Sequence, residues 1–415
     1  MNNLFTADFF ANNRAALRKL FTGTAPIVIT ANGLLQRGGD STYPFHQDAN
    51  FWYLTGVSDP DILLVMDKDK EYLIVPARDD SRQAFDGAID DTALTRRSGI
   101  ATIYDDGEGW RQLKNRLKRA KHVATLAAAP AYIEQHGMYT NPARARLIQT
   151  IKNDYAKLEV LDLTQHLVQL RAIKQAPELA AIQRAIDITA ETLAAVTDPE
   201  LLKTFGYEYE LEAAISQGFR SRGASGHAFE PIVASGPRAC TLHNIANNGQ
   251  LVTGELVVMD VGAEVEHYAA DISRTIAIGE PSKRQQVVFD AVVDVQEYAK
   301  SLIKPGVIIK EYEQQVEQFM GEKLRTLGLI KTVDHSATRA YYPHATSHFM
   351  GLNVHDAGDY HAPLAPGMVL TVEPGIYIPE EGIGIRIEDN VVVTESGIEV
   401  LSQRLPRRLS SLTMS

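Results

Sequence analysis

The stretch Val257-Val258-Met259-Asp260-Val261-Gly262 ends an apolar run on an acid, and Tyr268-Ala269-Ala270-Asp271-Ile272-Ser273-Arg274 sets a second acid eleven positions after the first. Both segments are strand-like, the first rich in valine and the second mostly small or apolar, with a single carboxylate each. A hairpin turning near Val265 and Glu266 would place Asp260 opposite Asp271, the carboxylates about 5 Å apart on one sheet face. Like charges so opposed are unfavourable unless a cation lies between them. The bland alternative is a pair of solvent-facing acids on an edge hairpin.

A matching pattern lies further along. Thr371-Val372-Glu373-Pro374-Gly375 puts an acid within an apolar strand. In Gly384-Ile385-Arg386-Ile387-Glu388-Asp389 strict alternation gives Arg386 and Glu388 one face and the isoleucines the other. Alone, that pair could be a structural ion pair; three strands each presenting a buried-looking acid weaken that reading. Between the two regions, His344, His348 and His355 fall within twelve residues, out of only 12 histidines in the chain. His243, in Thr241-Leu242-His243-Asn244, is a weaker signal. Asp260, Asp271, His348, Glu373 and Glu388 form an oxygen-rich donor set that suits Mn²⁺, Co²⁺ or Zn²⁺ in a carboxylate-bridged pair. Two such cations can share a hydroxide, polarise an amide carbonyl and stabilise the oxyanion that forms, so the chemistry implied is hydrolysis.

The rest of the chain frames this site. At 415 residues it has room for two or three domains. Its 41 basic and 52 acidic residues leave a net charge of −11, which argues against nucleic acid or an anionic membrane as main partner. The single Cys240 rules out an internal disulfide framework, suits a reducing compartment and reads as a small buried side chain. No apolar run is long enough to span a membrane. Residues 1–26 carry Phe5, Phe9, Phe10, Leu17 and Leu20 at helical spacing, which predicts an amphipathic first helix rather than a transit peptide. Strands are predicted at 26–31, 51–54, 62–67, 71–76, 122–127 and 158–162, with helices near 81–88, 110–118 and 143–155: an α/β domain with a mixed sheet.

From Pro177 the character changes. Helices at 177–196 and 207–222 precede strands at 229–235, 256–263 and 271–279; helices at 283–303 and 309–327 precede strands at 367–377 and 384–394. The order helix, helix, strands therefore occurs twice, and two such halves related by a pseudo-twofold axis would place a site where their sheets meet. Gly226-His227 reads as a turn near that site, and the polar, basic tail from Arg404 is expected to fray. The domains are placed at 1–170 and 171–415.

The Asp260, Asp271, His348, Glu373, Glu388 combination resembles the pita-bread metallopeptidases, which include methionine aminopeptidase, aminopeptidase P and prolidase. The run Phe45-His46-Gln47-Asp48-Ala49-Asn50-Phe51-Trp52-Tyr53-Leu54-Thr55-Gly56 resembles the N-terminal domain of aminopeptidase P, a domain that methionine aminopeptidase lacks. The resemblance implies an α/β N-terminal domain followed by a pita-bread α+β catalytic domain. It implies an aminopeptidase that releases the first residue of peptides with proline second, by attack of a metal-bridged hydroxide. Asp271 and Glu388 would bridge two divalent ions, most often Mn²⁺, with Asp260 on one and His348 and Glu373 on the other. Glu373 would also carry the proton of the attacking water to the departing imino nitrogen. His355 would hydrogen-bond the carbonyl oxygen, His243 and His344 would position the peptide, and Arg386 would support the ligands. A homo-oligomer, dimer or tetramer, is further implied; a cytoplasmic location is the default expectation because residues 1–26 hold no secretory apolar region. Two departures bear on specificity: a short link from Glu373 to Arg386, and Phe85 and Ala88 where relatives often carry a tryptophan and a nearby arginine. The rival readings are prolidase, a catalytically inactive binding homologue, and a metal-free hydrolase of the creatinase type.

Overall fold

The alternating apolar runs of the first compact unit, Met1–Leu170, assemble into a six-stranded mixed sheet. The computed structural model describes residues 4–128, 137–410 and 412. The sheet order is Ile103–Asp105, Glu71–Val75, Leu63–Met66, Ile27–Thr30, His122–Thr125, Glu159–Asp162. The three strands from Ile27–Thr30 to Glu71–Val75 pair antiparallel, and the outer ones join in parallel. Val28, Val65, Ile74 and Val123 of the sheet pack against Leu113 and Leu117 of the helix Asp106–Leu117 and Leu147 and Ile151 of Ala143–Asp154.

The predicted strand at 51–54 is instead a helix, Ala49–Thr55. Its Asp48 carboxylate accepts from the backbone N–H groups of Asn50 and Phe51 at 2.9 and 3.0 Å, and Gly56 closes it at φ 67°. A short run buried on every side has no period by which to tell strand from helix, so the cap decides. Trp52 of this helix meets Phe5 and Phe10 edge-on, at 5.1 and 5.4 Å between ring centres. The first helix, Ala7–Leu20, buries Phe9, Phe10 and Leu17 as its spacing predicts; residues 1–3 of the predicted segment lie outside the described residues. The strand Ile103–Asp105 and the helices Asp91–Ser98 and Thr164–Ala172 are additions to the sequence reading.

The second unit, Arg171–Ser415, repeats one plan twice. Helices Ala176–Val196 and Glu208–Ser221 precede the first set of strands, and Lys283–Leu302 and Ile309–Thr326 the second. Pro177 sits in the first turn of its helix, where its missing N–H costs nothing, and Glu178 accepts from the Gln175 N–H at 2.9 Å. Each set of strands contains a long hairpin broken in the middle. In the first, Leu256–Val261 and Ile272–Ala277 form the outer part, and Ala263–Val265 and Tyr268–Ala269 the tip. In the second, Val369–Val372 and Asp389–Val393 form the outer part, and Gly375–Ile378 and Ile383–Arg386 the tip.

The first hairpin corrects the expected register. It turns at Glu266 and His267, both at positive φ (50° and 67°), and pairs Asp260 with Ser273. Asp271 is therefore the diagonal neighbour of Asp260, two residues along the partner strand on the same face. Gly226–His227 is a short strand paired with Ala263 and Glu264, not a turn. The segment after Arg404 is packed rather than frayed: Leu405, Leu409 and Leu412 are buried, while residues 411 and 413–415 lie outside the described residues. No described helix is long and apolar enough to cross a membrane.

Candidate metal centre

The interruptions of the two hairpins are where the acids sit. Asp271 immediately precedes Ile272–Ala277, Glu373 immediately follows Val369–Val372, and Glu388 immediately precedes Asp389–Val393. In the second hairpin the register Val372↔Asp389 on one side and Gly375↔Arg386 on the other both set Glu373 across from Glu388. The strands expected to run unbroken through Glu373 and Glu388 are thus each two strands. Pro374, with no N–H to donate, suits such a break.

Hydrogen bonds between the two halves bring the acids together. The Glu388 N–H donates to the Ser273 carbonyl at 3.0 Å, and the Ser273 hydroxyl donates to Glu388 Oε2 at 2.8 Å. Asn390 is bonded to the Asp271 backbone on both sides, accepting from its N–H at 3.2 Å and donating to its carbonyl at 2.5 Å. Arg386 donates to Asp260 Oδ2 at 2.7 Å, to Ser273 Oγ at 2.9 Å and to the Tyr377 hydroxyl at 2.9 Å. Ligand atoms of Asp271, His348 and Glu388 all lie within 4.8 Å of one another.

The imidazole of His348 is aimed by its neighbours. Its Nδ1 lies 3.1 Å from the Phe349 carbonyl, which can only accept, so Nδ1 carries the proton and Nε2 presents a lone pair. That lone pair faces Asp271 Oδ2 and Glu373 Oε1, each at 3.4 Å. Burial first, then Asp260 and Glu373, hold the Asp271 carboxyl well above its usual range. Burial and Asp271 do the same for Glu388, and burial and Glu388 for Glu373. Burial pushes the His348 pKa down. Among the described residues Asp260 Oδ1 and Glu388 Oε1 are buried with no hydrogen-bond partner. Unpartnered carboxylate oxygens, mutually repelling acids and an inward lone pair fit divalent cations, whose charge removes all three costs at once.

The remaining candidates ring this cluster. His344 donates from Nδ1 to the Ala345 carbonyl at 2.8 Å, which leaves Nε2 to accept from the Tyr377 hydroxyl, also at 2.8 Å. Burial and the Arg386 charge bring its pKa down to about 3, so it is neutral. Both its nitrogens are engaged by the protein. His355 stacks edge-on against His348 with ring centres 4.2 Å apart, and the residue as a whole is exposed. Partial desolvation, then His348 and His243, lower its pKa to about 4. His243 is exposed, near enough to depress both of those imidazoles. All nine sequence candidates that include Arg386 thus belong to one neighbourhood.

Three organising residues escaped the sequence reading. Tyr377 links Arg386 to His344, Ser273 links Arg386 to Glu388, and Glu313 accepts from the Thr346 and Ser347 N–H groups at 2.9–3.0 Å. Ser273 was within reach, since alternation gives it the face of Asp271; Glu313 had no local signal. Cys240 is half-buried, its thiol 3.4 Å from the Ile383 carbonyl, and burial raises its pKa. His227 bonds Ser216 at 2.7 Å.

Fold and donor set together define a metallopeptidase. Residues 180–395 match metallopeptidase family M24, and residues 10–125 match the aminopeptidase P N-terminal domain. The chain belongs to metallopeptidase family M24. It is 34% identical to Xaa-Pro aminopeptidase 3 of Rattus norvegicus across 93% of this chain and 79% of the relative. It is 31% identical to Xaa-Pro aminopeptidase of Escherichia coli strain K12 across 98% and 97%. Among solved structures, E. coli aminopeptidase P with the inhibitor Pro-Leu superposes with a TM-score of 0.84 at 30% identity, covering 98% of this chain and 97% of that one. Proline aminopeptidase P II of Yersinia pestis gives 0.84 at 30%, covering 97% and 98%.

Proposed function

We propose that the protein is an Xaa-Pro aminopeptidase, releasing the first residue of peptides whose second residue is proline. The observation that carries this is the buried cluster of acids around the lone pair of His348, in a chain similar over nearly its whole length to aminopeptidase P. Residues 171–415 form the pita-bread catalytic domain in this reading, and residues 1–170 the aminopeptidase P-like domain. Asp271 and Glu388 would be shared by two divalent ions, with Asp260 holding one and His348 and Glu373 the other; Mn²⁺ is the ion we favour over Co²⁺ or Zn²⁺. Bound there, the ions supply Lewis acidity, acidifying water and polarising the scissile carbonyl.

The chain's own groups do the rest. Glu373 accepts the proton of the attacking water and passes it to the proline nitrogen as the C–N bond breaks, so the departing peptide leaves as an amine. The exposed His355 imidazole, neutral with one N–H, donates to the carbonyl oxygen as its charge grows. His243 positions the peptide, His344, tied to Tyr377, packs beside it, and Arg386 holds Asp260 in place. A cytoplasmic homo-oligomer, dimer or tetramer, completes the reading.

The test is hydrolysis by Mn²⁺-loaded protein of an Xaa-Pro dipeptide beside a longer Xaa-Pro-Yaa peptide. Cleavage of the longer peptide before proline is the expected result. Cleavage of the dipeptide alone would make the protein a prolidase. Silence on both, with two metals bound, would refute proline-directed peptidase activity.

A further inference from the structure

We infer that Asp356 is a positioning residue for His355, acting through a buried ion cluster anchored in the opposite half of the catalytic unit. The inference rests on the role given to His355 above. His355 is exposed, yet the next residue is among the most buried acids in the chain, its side chain 1% accessible. Asp356 Oδ1 pairs with Arg171 Nη2, and Oδ2 accepts from Lys174 Nζ at 2.9 Å. Both cations are themselves buried, at 3% and 1% side-chain exposure. Lys174 Nζ also donates to the Arg171 carbonyl at 2.7 Å, and Glu178, which accepts from the Tyr268 hydroxyl at 2.9 Å, adds a second acid nearby. Two buried cations thus face two buried acids.

This cluster closes the loop that carries the histidines. The Asp356 N–H donates to the Phe349 carbonyl at 2.8 Å, folding residues 349–356 back so that the rings of His348 and His355 meet. The Asn353 N–H donates to Asp356 Oδ1 at 3.3 Å, a second tie from within the loop. Gly351 leaves room for the anchor, since a Cβ there would lie 2.2 Å from Asp356 Oδ2 and 2.8 Å from Lys174 Nζ. At the other end His348 is fixed by Thr371, which exchanges bonds of 3.1 and 3.0 Å with its backbone. One end of the loop therefore serves the metal cluster, and the other end reaches His355 with Asp356 as its nearest fixed point. An exposed imidazole has few contacts of its own to hold it, and a misplacement of about 1 Å costs about 10²-fold in rate.

The experiment is a double-mutant cycle on the Mn²⁺-loaded enzyme with an Xaa-Pro-Yaa peptide. Asp356→Asn should lower kcat about 10- to 100-fold with KM and metal content nearly unchanged. In a His355→Ala background the same substitution should cost less than about threefold, because the group it positions is gone. An equal drop in both backgrounds, loss of metal, or unchanged kcat for Asp356→Asn would overturn the inference and leave His355's role standing. Unchanged kcat for His355→Ala alone would overturn both. If Asp356→Asn does not fold, Lys174→Gln, which leaves the Arg171–Asp356 pair intact, enters the same cycle with the same criteria.

Discussion

Replacing Asp271 by asparagine should stabilise the metal-free protein while destroying its activity. Asp271 and Glu388 present oxygens within 4.8 Å of each other in a buried site. At that separation and an effective dielectric of about 20, two charged carboxylates repel by about 3.5 kcal/mol. Linkage sets a second bound: holding an ordinary aspartic acid neutral at pH 7 costs no more than about 4 kcal/mol. The two routes agree, so Asp271→Asn should gain roughly 2–4 kcal/mol in the chelated state. The assay is urea unfolding at pH 7 in excess chelator, read at equal m-value, then repeated with saturating Mn²⁺. With metal the order should reverse, because only the native site gains from mass action. A chelated variant no more stable than the chelated parent would refute the claim that these acids repel one another when unneutralised.

Replacing Glu373 by alanine should abolish turnover and weaken one metal site, measured by activity and metal analysis; near-normal activity would remove its double role. His355→Ala should lower kcat by about 10²–10³ with metal content intact, as for loss of one oxyanion donor, and metal loss would instead make His355 a ligand. Asp389 is buried, which alone would raise its pKa, but Arg274 and Lys300 hold it well below the usual range. Its stabilisation is therefore present above the unfolded carboxyl's pKa and lost as pH falls below about 4 toward its folded value. Asp389→Asn should cost about 3–5 kcal/mol at pH 7 and flatten the acid limb of a pH–stability curve.

The four acids of the proposed donor set could be picked out from sequence because a carboxylate set within an apolar run needs a reason, and His348 because three histidines crowd into twelve residues. Their register could not. One residue decides where a hairpin turns, and Glu266 and His267 both adopt positive φ without being glycine or asparagine, so no turn signal marks the place. The same blindness turned residues 51–54 into a predicted strand, since Phe51 to Leu54 are apolar throughout and the deciding hydrogen bonds come from Asp48. Residues that organise the site from afar, such as Glu313 and Lys174, left no trace because their partners lie 33 and 182 positions away. Pairing across such distances is a property of the fold, not of any window of sequence.

The broken hairpins have a consequence for how the site comes into being. Asp260 and Asp271 reach one another through a local turn, and so do Glu373 and Glu388. Loop closure over so few residues is fast, whereas joining the two hairpins spans most of the unit. Each half can therefore carry a preformed pair of acids before either meets the other. Severing the exposed link near Gly279 and Glu280 would yield two fragments, each with half a site and an unrelieved pair of charges. Divalent ions would act as the adhesive between them, and reassembly of such a split enzyme should follow metal concentration.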